Sequence, residues 1–267
     1  MLSKLVVIAA VVGAAIVGAP AAALAQAKAD SVTLTERAAK VGDKWTEEKS
    51  ETGDMIVTVN GQKIAMKTER TEKRSIEVLA VDKAGPTKAK YTFMTDTETK
   101  QGPKKRDGGP TVIQGKSYTL TAGEPTAVAG EKGPAPEAEA ALVRKRVKRF
   151  GKADQLGKVL AGKTFTKGKP FEVPAAQLAD VSPDPELQVK SLVLTYNGMK
   201  GDLALFDLAM KAEGERNGSK MKLELKGKAE IDPKTNTPVD TASDMTVSST
   251  GASVVDGTMK ITSHRTR

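Results

Sequence analysis

The chain has 267 residues, with 42 Lys or Arg against 33 Asp or Glu, a single His and no Cys. That composition excludes thiol chemistry and disulfides, and it leaves zinc, iron and copper without a ligand set. One Trp, three Tyr and five Phe are too few, once a core takes its share, to furnish the ring platforms on which sugars and single-stranded nucleic acids stack, so no specific nucleic-acid partner is expected.

The N-terminus reads as an export signal. Met1-Leu2-Ser3-Lys4 is a short basic start, residues 5–18 are an uncharged apolar run, and Ala23-Leu24-Ala25 supplies small residues at a cleavage site. The run is shorter than the roughly 20 residues of a membrane span. Cleavage after Ala25 leaves residues 26–267, expected to be a single β-rich domain in a periplasm or outside the cell, soluble and, without a Cys, not lipid-anchored. The mature chain keeps 41 basic and 33 acidic residues, a spread excess that suits an anionic envelope polymer or lipid head groups. No later run is long enough to span a bilayer.

Residues 31–130 read as strands. Trp45, after Val41-Gly42-Asp43-Lys44, opens the first long one; a lone Trp is a core or rim anchor before it is a ligand platform. Val57-Thr58-Val59 runs into Asn60-Gly61, a tight-hairpin signal. Ile64 and Met66 then share parity with Ile76, Val78 and Ala80, but residues 67–75 are polar on both faces. A strand through them is expected to be exposed in its middle or to overhang the core. Tyr91, Phe93 and Thr95 mark another strand, Tyr118 and Leu120 a shorter one. Residues 102–110, with Lys104-Lys105-Arg106 between Gly and Pro, read as a mobile loop.

Residues 134–162 read as a helical insert. Pro134-Ala135-Pro136 introduces a helix over 137–150, whose Val143, Val147 and Phe150 form one apolar stripe. Arg144, Lys145, Lys148 and Arg149 lie at i, i+4 spacings beside that stripe, a basic ridge able to dock on an anionic surface, or else an ordinary solvated face. Asp154 caps a second short helix through Leu160, stopped at Gly162. Residues 163–186, rich in Pro, read as an extended connector.

Residues 187–264 are strands again. From Met221 to Ile231 odd positions are apolar or Gly and even positions are charged, the period of a sheet with one dry and one wet face. Phe206, Leu208 and Met210 repeat the pattern upstream, and Leu223 and Leu225 belong to the same apolar side. Together with Trp45 they are the candidate apolar face. Between Leu187 and Tyr196 the apolar parity switches near Ser191, which predicts a bulge. Asn197-Gly198 is expected to turn the chain into the strand that follows.

No catalytic or metal site emerges. His264 is the only imidazole and sits near the C-terminus, where a frayed or edge position is expected. The carboxylates Asp180, Asp184 and Glu186, and the group Asp232, Asn236 and Asp240, match turn chemistry better than a calcium loop. The pairs Gly157-Lys158, Gly162-Lys163 and Gly168-Lys169 lack phosphate-loop spacing. No cofactor is implied, and the chain is expected not to be an enzyme; a carboxylate hydrolase is the weakest alternative.

The Gly42-to-Trp45 strand start, the helical middle, and the late strand from Gly227 to Asp232 running into a Thr235 turn resemble uncharacterised bacterial secreted β-rich proteins. More distantly, the architecture resembles the half-barrels of periplasmic lipoprotein carriers. The first resemblance carries no activity or site residues. The second implies an apolar groove. The expected fold is mainly β: nine or ten long antiparallel strands in a strongly twisted sheet or open half-barrel, with the helical segment 136–161 packed on it. The expected function is non-enzymatic binding of a hydrophobic or amphiphilic ligand, or of a partner protein. Adhesion to an anionic surface through the basic ridge is the alternative.

Overall fold

The computed structural model describes residues 30–266 except 60, 84, 104, 105, 149, 153, 180, 183–186, 217, 252 and 253. The signal read at 1–25 therefore lies outside the described residues.

Fifteen strands and three helices follow in order: β1 (Ser31–Thr33), β2 (Lys44–Val59), β3 (Gln62–Asp82), β4 (Gly85–Gln101), β5 (Arg106–Pro110), β6 (Lys116–Thr121), β7 (Ala127–Gly130), β8 (Gly133–Pro134), α1 (Glu137–Arg146), α2 (Gln155–Leu160), β9 (Thr164–Thr166), β10 (Pro170–Glu172), α3 (Ala175–Leu178), β11 (Leu187–Lys200), β12 (Leu203–Arg216), β13 (Ser219–Asp232), β14 (Thr237–Gly251) and β15 (Val254–Thr266). Thirteen of the strands make one sheet, entirely antiparallel, ordered β10-β11-β12-β13-β14-β15-β2-β3-β4-β6-β7-β8, with β5 on the far end of β4. β1 and β9 form a separate ribbon. The sheet is long, antiparallel and open, because its end strands β10 and β8 do not pair with each other.

The last strand, β15, lies beside the first long one, β2, with Arg265 opposite Glu47. That pairing welds the two strand regions into one surface. Alternation explains the strands: Leu223, Ala229 and Ile231 are buried while Lys222, Lys226 and Lys228 face water. Gly227, on the inner side, lets β14 come close; a Cβ there would stand 2.8 Å from both the Ala242 carbonyl oxygen and Ser243 Cβ.

Several expectations need correction. Long hairpins plus short flanking strands raise the count above nine or ten. Asn197-Gly198 is a bulge, not a turn: β11 slips register between Tyr196 and Gly198 and continues to Lys200, and the reversal falls at Gly201, where φ is 60°. The slip between Val189 and Ser191 occurs as the parity switch requires. Arg106–Pro110 is a strand on β4 instead of loop. The Pro-rich connector contains β9, β10 and α3. The first helix ends at Arg146; Val147 has φ −119°, outside helical geometry.

The apolar residues gather in two separate clusters. One joins β11–β15 to α2, α3 and β9, around Tyr196, Phe206, Leu194, Leu223 and Met245. Phe165 meets Phe206 edge-on at 5.1 Å between ring centroids. The other joins β2–β4, β6 and β7 to α1, around Phe93, Val78, Tyr118, Leu120 and Val143. Each fully buried side chain of this size stabilises by about 1.5–3 kcal/mol. Between the clusters one stretch of the inner face of β14, β15 and β2 is polar, at Thr241, Ser243, Ser263 and Lys49, while Met245, Met259 and Ile261 farther along β14 and β15 belong to the first cluster.

Candidate functional site

That polar stretch floors a concave cavity of about 380 Å³, within the range of small-molecule sites. The helices cover it: residues 145–148 after and within the end of α1, Phe150, and Leu156 of α2 border it. One wall is apolar, formed by Leu192 of β11, Leu208 and Met210 of β12, Leu225 of β13, Leu156 and Val181. The facing wall is ionic.

The ionic wall explains the stretch of β3 that is polar on both faces. On the inner side of β2 stand Glu47, Lys49 and Glu51; opposite them on β3 stand Arg74, Glu72 and Arg70. Each rung carries opposite charges, and the signs alternate along each strand. Direct cross-strand pairs of this kind stabilise a sheet. The middle of β3 is thus neither exposed nor overhanging: Glu51 and Glu72 are each 3% exposed. Arg74 Nη2 and Nε donate to Glu47 Oε2 at 2.8 and 3.1 Å, and Arg74 Nη1 reaches Glu72 at 2.7 Å. Lys49 pairs with Glu51, and Arg70 with Glu51 and Glu72. Arg265 adds a further pair to Glu47 and lays its guanidinium over the Trp45 ring, 4.9 Å from the centroid. Trp45 Nε1 donates to Glu47 Oε1 at 2.9 Å.

Charge follows geometry here. Burial alone would raise the Glu47 carboxyl, but Arg74 and Arg265 hold it well below the usual carboxylate range. Burial lowers Arg74, and the carboxylates of Glu72 and Glu47 more than offset this and raise it. Burial pushes the Tyr91 phenol up to about 12, and Arg74 sits 5.5 Å from that ring's centroid. Burial depresses the Lys49 ammonium, opposed by Glu51.

A second ionic group fastens α1 to the sheet. Arg146 donates through Nε and Nη2 to the two oxygens of Asp96 at 2.8 and 2.9 Å, and through Nη2 to Glu98 at 3.0 Å. The side chains of Arg146 and Asp96 are 1% and 0% exposed. Arg74 Nη1 donates to the Arg146 carbonyl at 3.2 Å, so it also satisfies a carbonyl at the helix end.

The candidate residues divide. Trp45, Leu208, Met210 and Leu225 border the cavity; Phe206 and Leu223 are buried in the first cluster behind it. The basic ridge does not form as a helical row, because Lys148 lies beyond the helix end and Arg149 is outside the described residues. Arg144 donates to Glu137 at 3.0 Å and to the Thr126 carbonyl at 3.0 Å; Lys145 lies 3.8 Å from Glu98. Those two cations are engaged within the fold. His264 is in an interior strand, not at an edge, with Nδ1 2.5 Å from Asp240 Oδ1. Glu47, Arg70, Glu72, Arg74, Arg146 and Arg265 were missed. The complementary spacing Glu-x-Lys-x-Glu and Arg-x-Glu-x-Arg on either side of the Asn-Gly hairpin was the available signal for the first wall. Among the described residues no group of three or more His, Cys, Asp or Glu is placed to hold a metal, and no helix is long and apolar enough to cross a membrane.

No family model matches the chain, and no curated protein matches it. Among solved structures it is similar to a lipovitellin described for its lipid–protein interactions, at 8% identity and a TM-score of 0.40, over 83% of this chain and 25% of that one. The chain thus spans a quarter of the lipovitellin chain. It is also similar to OccK1 (OpdK) of Pseudomonas aeruginosa, at 8% identity and a TM-score of 0.19, over 82% of this chain and 67% of that one. The outer membrane protein OprD of the same organism gives 9% identity and a TM-score of 0.17, over 86% and 62%. Likenesses this distant carry no function across.

Proposed function

We propose that this protein is an exported, non-enzymatic binder of a hydrophobic or amphiphilic small molecule, held in the concave cavity. One observation carries the reading: the cavity sets an apolar wall of Leu192, Leu208, Met210 and Leu225 against an ionic wall of Glu47, Arg74, Glu72 and Arg265. A molecule with an apolar chain and a polar end matches both walls; water alone matches only one. The ionic residues are tied to one another, which supports a binding surface over a reactive centre. Their mutual pairs satisfy them before any substrate arrives.

Export rests on the basic, apolar and small-residue order of residues 1–25. N-terminal sequencing of protein recovered from the cell envelope or medium is expected to begin at Gln26; a start at Met1 in the cytoplasmic fraction refutes it. For binding, the test is native mass spectrometry of the purified protein before and after solvent extraction. A bound mass lost on extraction is expected. A protein that is ligand-free on isolation and binds no hydrophobic fluorophore refutes the reading.

A further inference from the structure

We infer that the ligand's polar end is anionic, a carboxylate or phosphate on an apolar chain; this rests on the cavity-binding reading above and deepens it. Charge is unevenly distributed around the cavity. Lys228 borders the cavity, but its place in the alternation of β13 turns its side chain to the wet face. Leaving it aside, eleven Lys or Arg border the cavity against five Asp or Glu. Five more acids, Asp43, Glu51, Asp96, Glu98 and Glu124, stand behind the lining and pair with Arg37, Arg70, Arg146, Lys145 and Lys152. Eleven against ten leaves an excess of one, so what matters is which cations lack a partner.

The inner part of that set is spent on internal pairs. In the outer part Lys152 stands 3.9 Å from Glu124, but three further lysines have no such pair. Lys83 in the turn between β3 and β4, Lys148 after α1, and Lys158 on α2 all border the cavity and are exposed. None of the three has an acidic partner within ion-pair distance among the described residues. Three separate segments thus bring exposed lysines without an ion-pair partner to the border of one concavity. A cleft lined by one sign of charge, with low-dielectric walls, concentrates and steers ions of the other sign. An acid head group near the lysines leaves its chain against Leu208, Met210 and Leu225. A cationic head would meet repulsion, and a free small anion would leave the apolar wall wet.

The probes are cis-parinaric acid, its methyl ester, and inorganic phosphate. Fluorescence titration is expected to show the acid binding about tenfold more tightly than the ester at low salt. That preference should shrink as salt rises, since exposed charges are screened over about 8 Å at physiological ionic strength. The triple variant K83E/K148E/K158E should lose the preference while keeping ester binding, which also reports that the variant is folded. Equal binding of acid and ester overturns the anionic head group and leaves cavity binding standing. Failure of both probes to bind overturns the cavity reading as well. Displacement of the acid by phosphate at concentrations where phosphate occupies the site without a chain overturns the amphiphile in favour of a free anion.

Discussion

Arg146, the last residue of α1, grips both carboxylate oxygens of Asp96 on β4, at 2.8 and 2.9 Å, in a setting from which water is excluded. The two residues are 50 apart in sequence. Exposed and half-buried bonds also tie this ten-residue helix down, with Lys116 and Tyr118 donating to Glu139 and Arg144 donating to the Thr126 carbonyl. This pair and Ala140, Val143 and Val147 are the buried part of what pins it over the cavity.

The first prediction concerns that pair. Arg146→Met keeps the bulk but leaves Asp96 buried without a counter-ion, which costs about 3–5 kcal/mol. Chemical denaturation should show the loss. Arg146→Met combined with Asp96→Leu should recover most of it, because the stranded charge is gone. If the single variant is as stable as the parent, Arg146 is not an anchor.

Acid should weaken the fold in a defined window. The Glu98 carboxyl would be raised by burial, but hydrogen bonds from Lys100 and Arg146 and the charge of Lys145 lower it from the ordinary 4.5 to about 2. Glu47 is lowered too, by Arg74 and Arg265 against burial. Both groups bind protons more weakly folded than unfolded, so their contribution is complete above about pH 4.5 and drains away as pH falls toward 2. Thermal unfolding followed from pH 7 to pH 2.5 should show Tm flat at first, then falling below about pH 4.5. Substituting Glu98→Gln should flatten part of the fall.

Filling the cavity should separate binding from folding. Leu225 is half-buried opposite Met210 at the apolar wall. Leu225→Trp projects a larger side chain into open space, so stability should change by less than about 1.5 kcal/mol. Uptake of a hydrophobic fluorophore should fall by about tenfold or more, the equivalent of about 1.4 kcal/mol in lost contact. Unchanged uptake places the ligand elsewhere.

The close approach of β13 and β14 predicts an intolerance. At Gly227 any Cβ meets backbone and Ser243 at 2.8 Å. Gly227→Val should cost about 1–3 kcal/mol, the range of overpacked sites, and Ser243→Gly in the same chain should return part of it. Urea unfolding of the parent and these two variants measures both.

Much of the architecture was visible in residue order alone. The Met221–Ile231 alternation, the Ser191 parity switch and the Asp154 cap each reflect a local rule: a period of two, one extra residue, one oxygen at a helix start. What escaped was long-range. Asn197-Gly198 has the composition of a turn, yet neighbours on β12 hold β11 extended through it, and Gly201 takes the reversal. Arg146 looked like one basic residue among several; only the fold sets Asp96 beneath it. Residues 67–75 looked exposed because polarity on both faces normally means water on both. Their inner charges are matched across β2, a fact about register that single-strand periodicity does not contain.

The split in the hydrophobic core has a mechanical consequence. Neither cluster reaches the other across the Thr241, Ser243 and Ser263 strip. The first cluster ends on β15 and the second begins on β2, so flexing the sheet at the β15–β2 seam would change the gap between the two banks while leaving the contacts inside each cluster in place. Whatever spans the gap from bank to bank therefore sets its width, so the empty and filled molecules need not share one curvature.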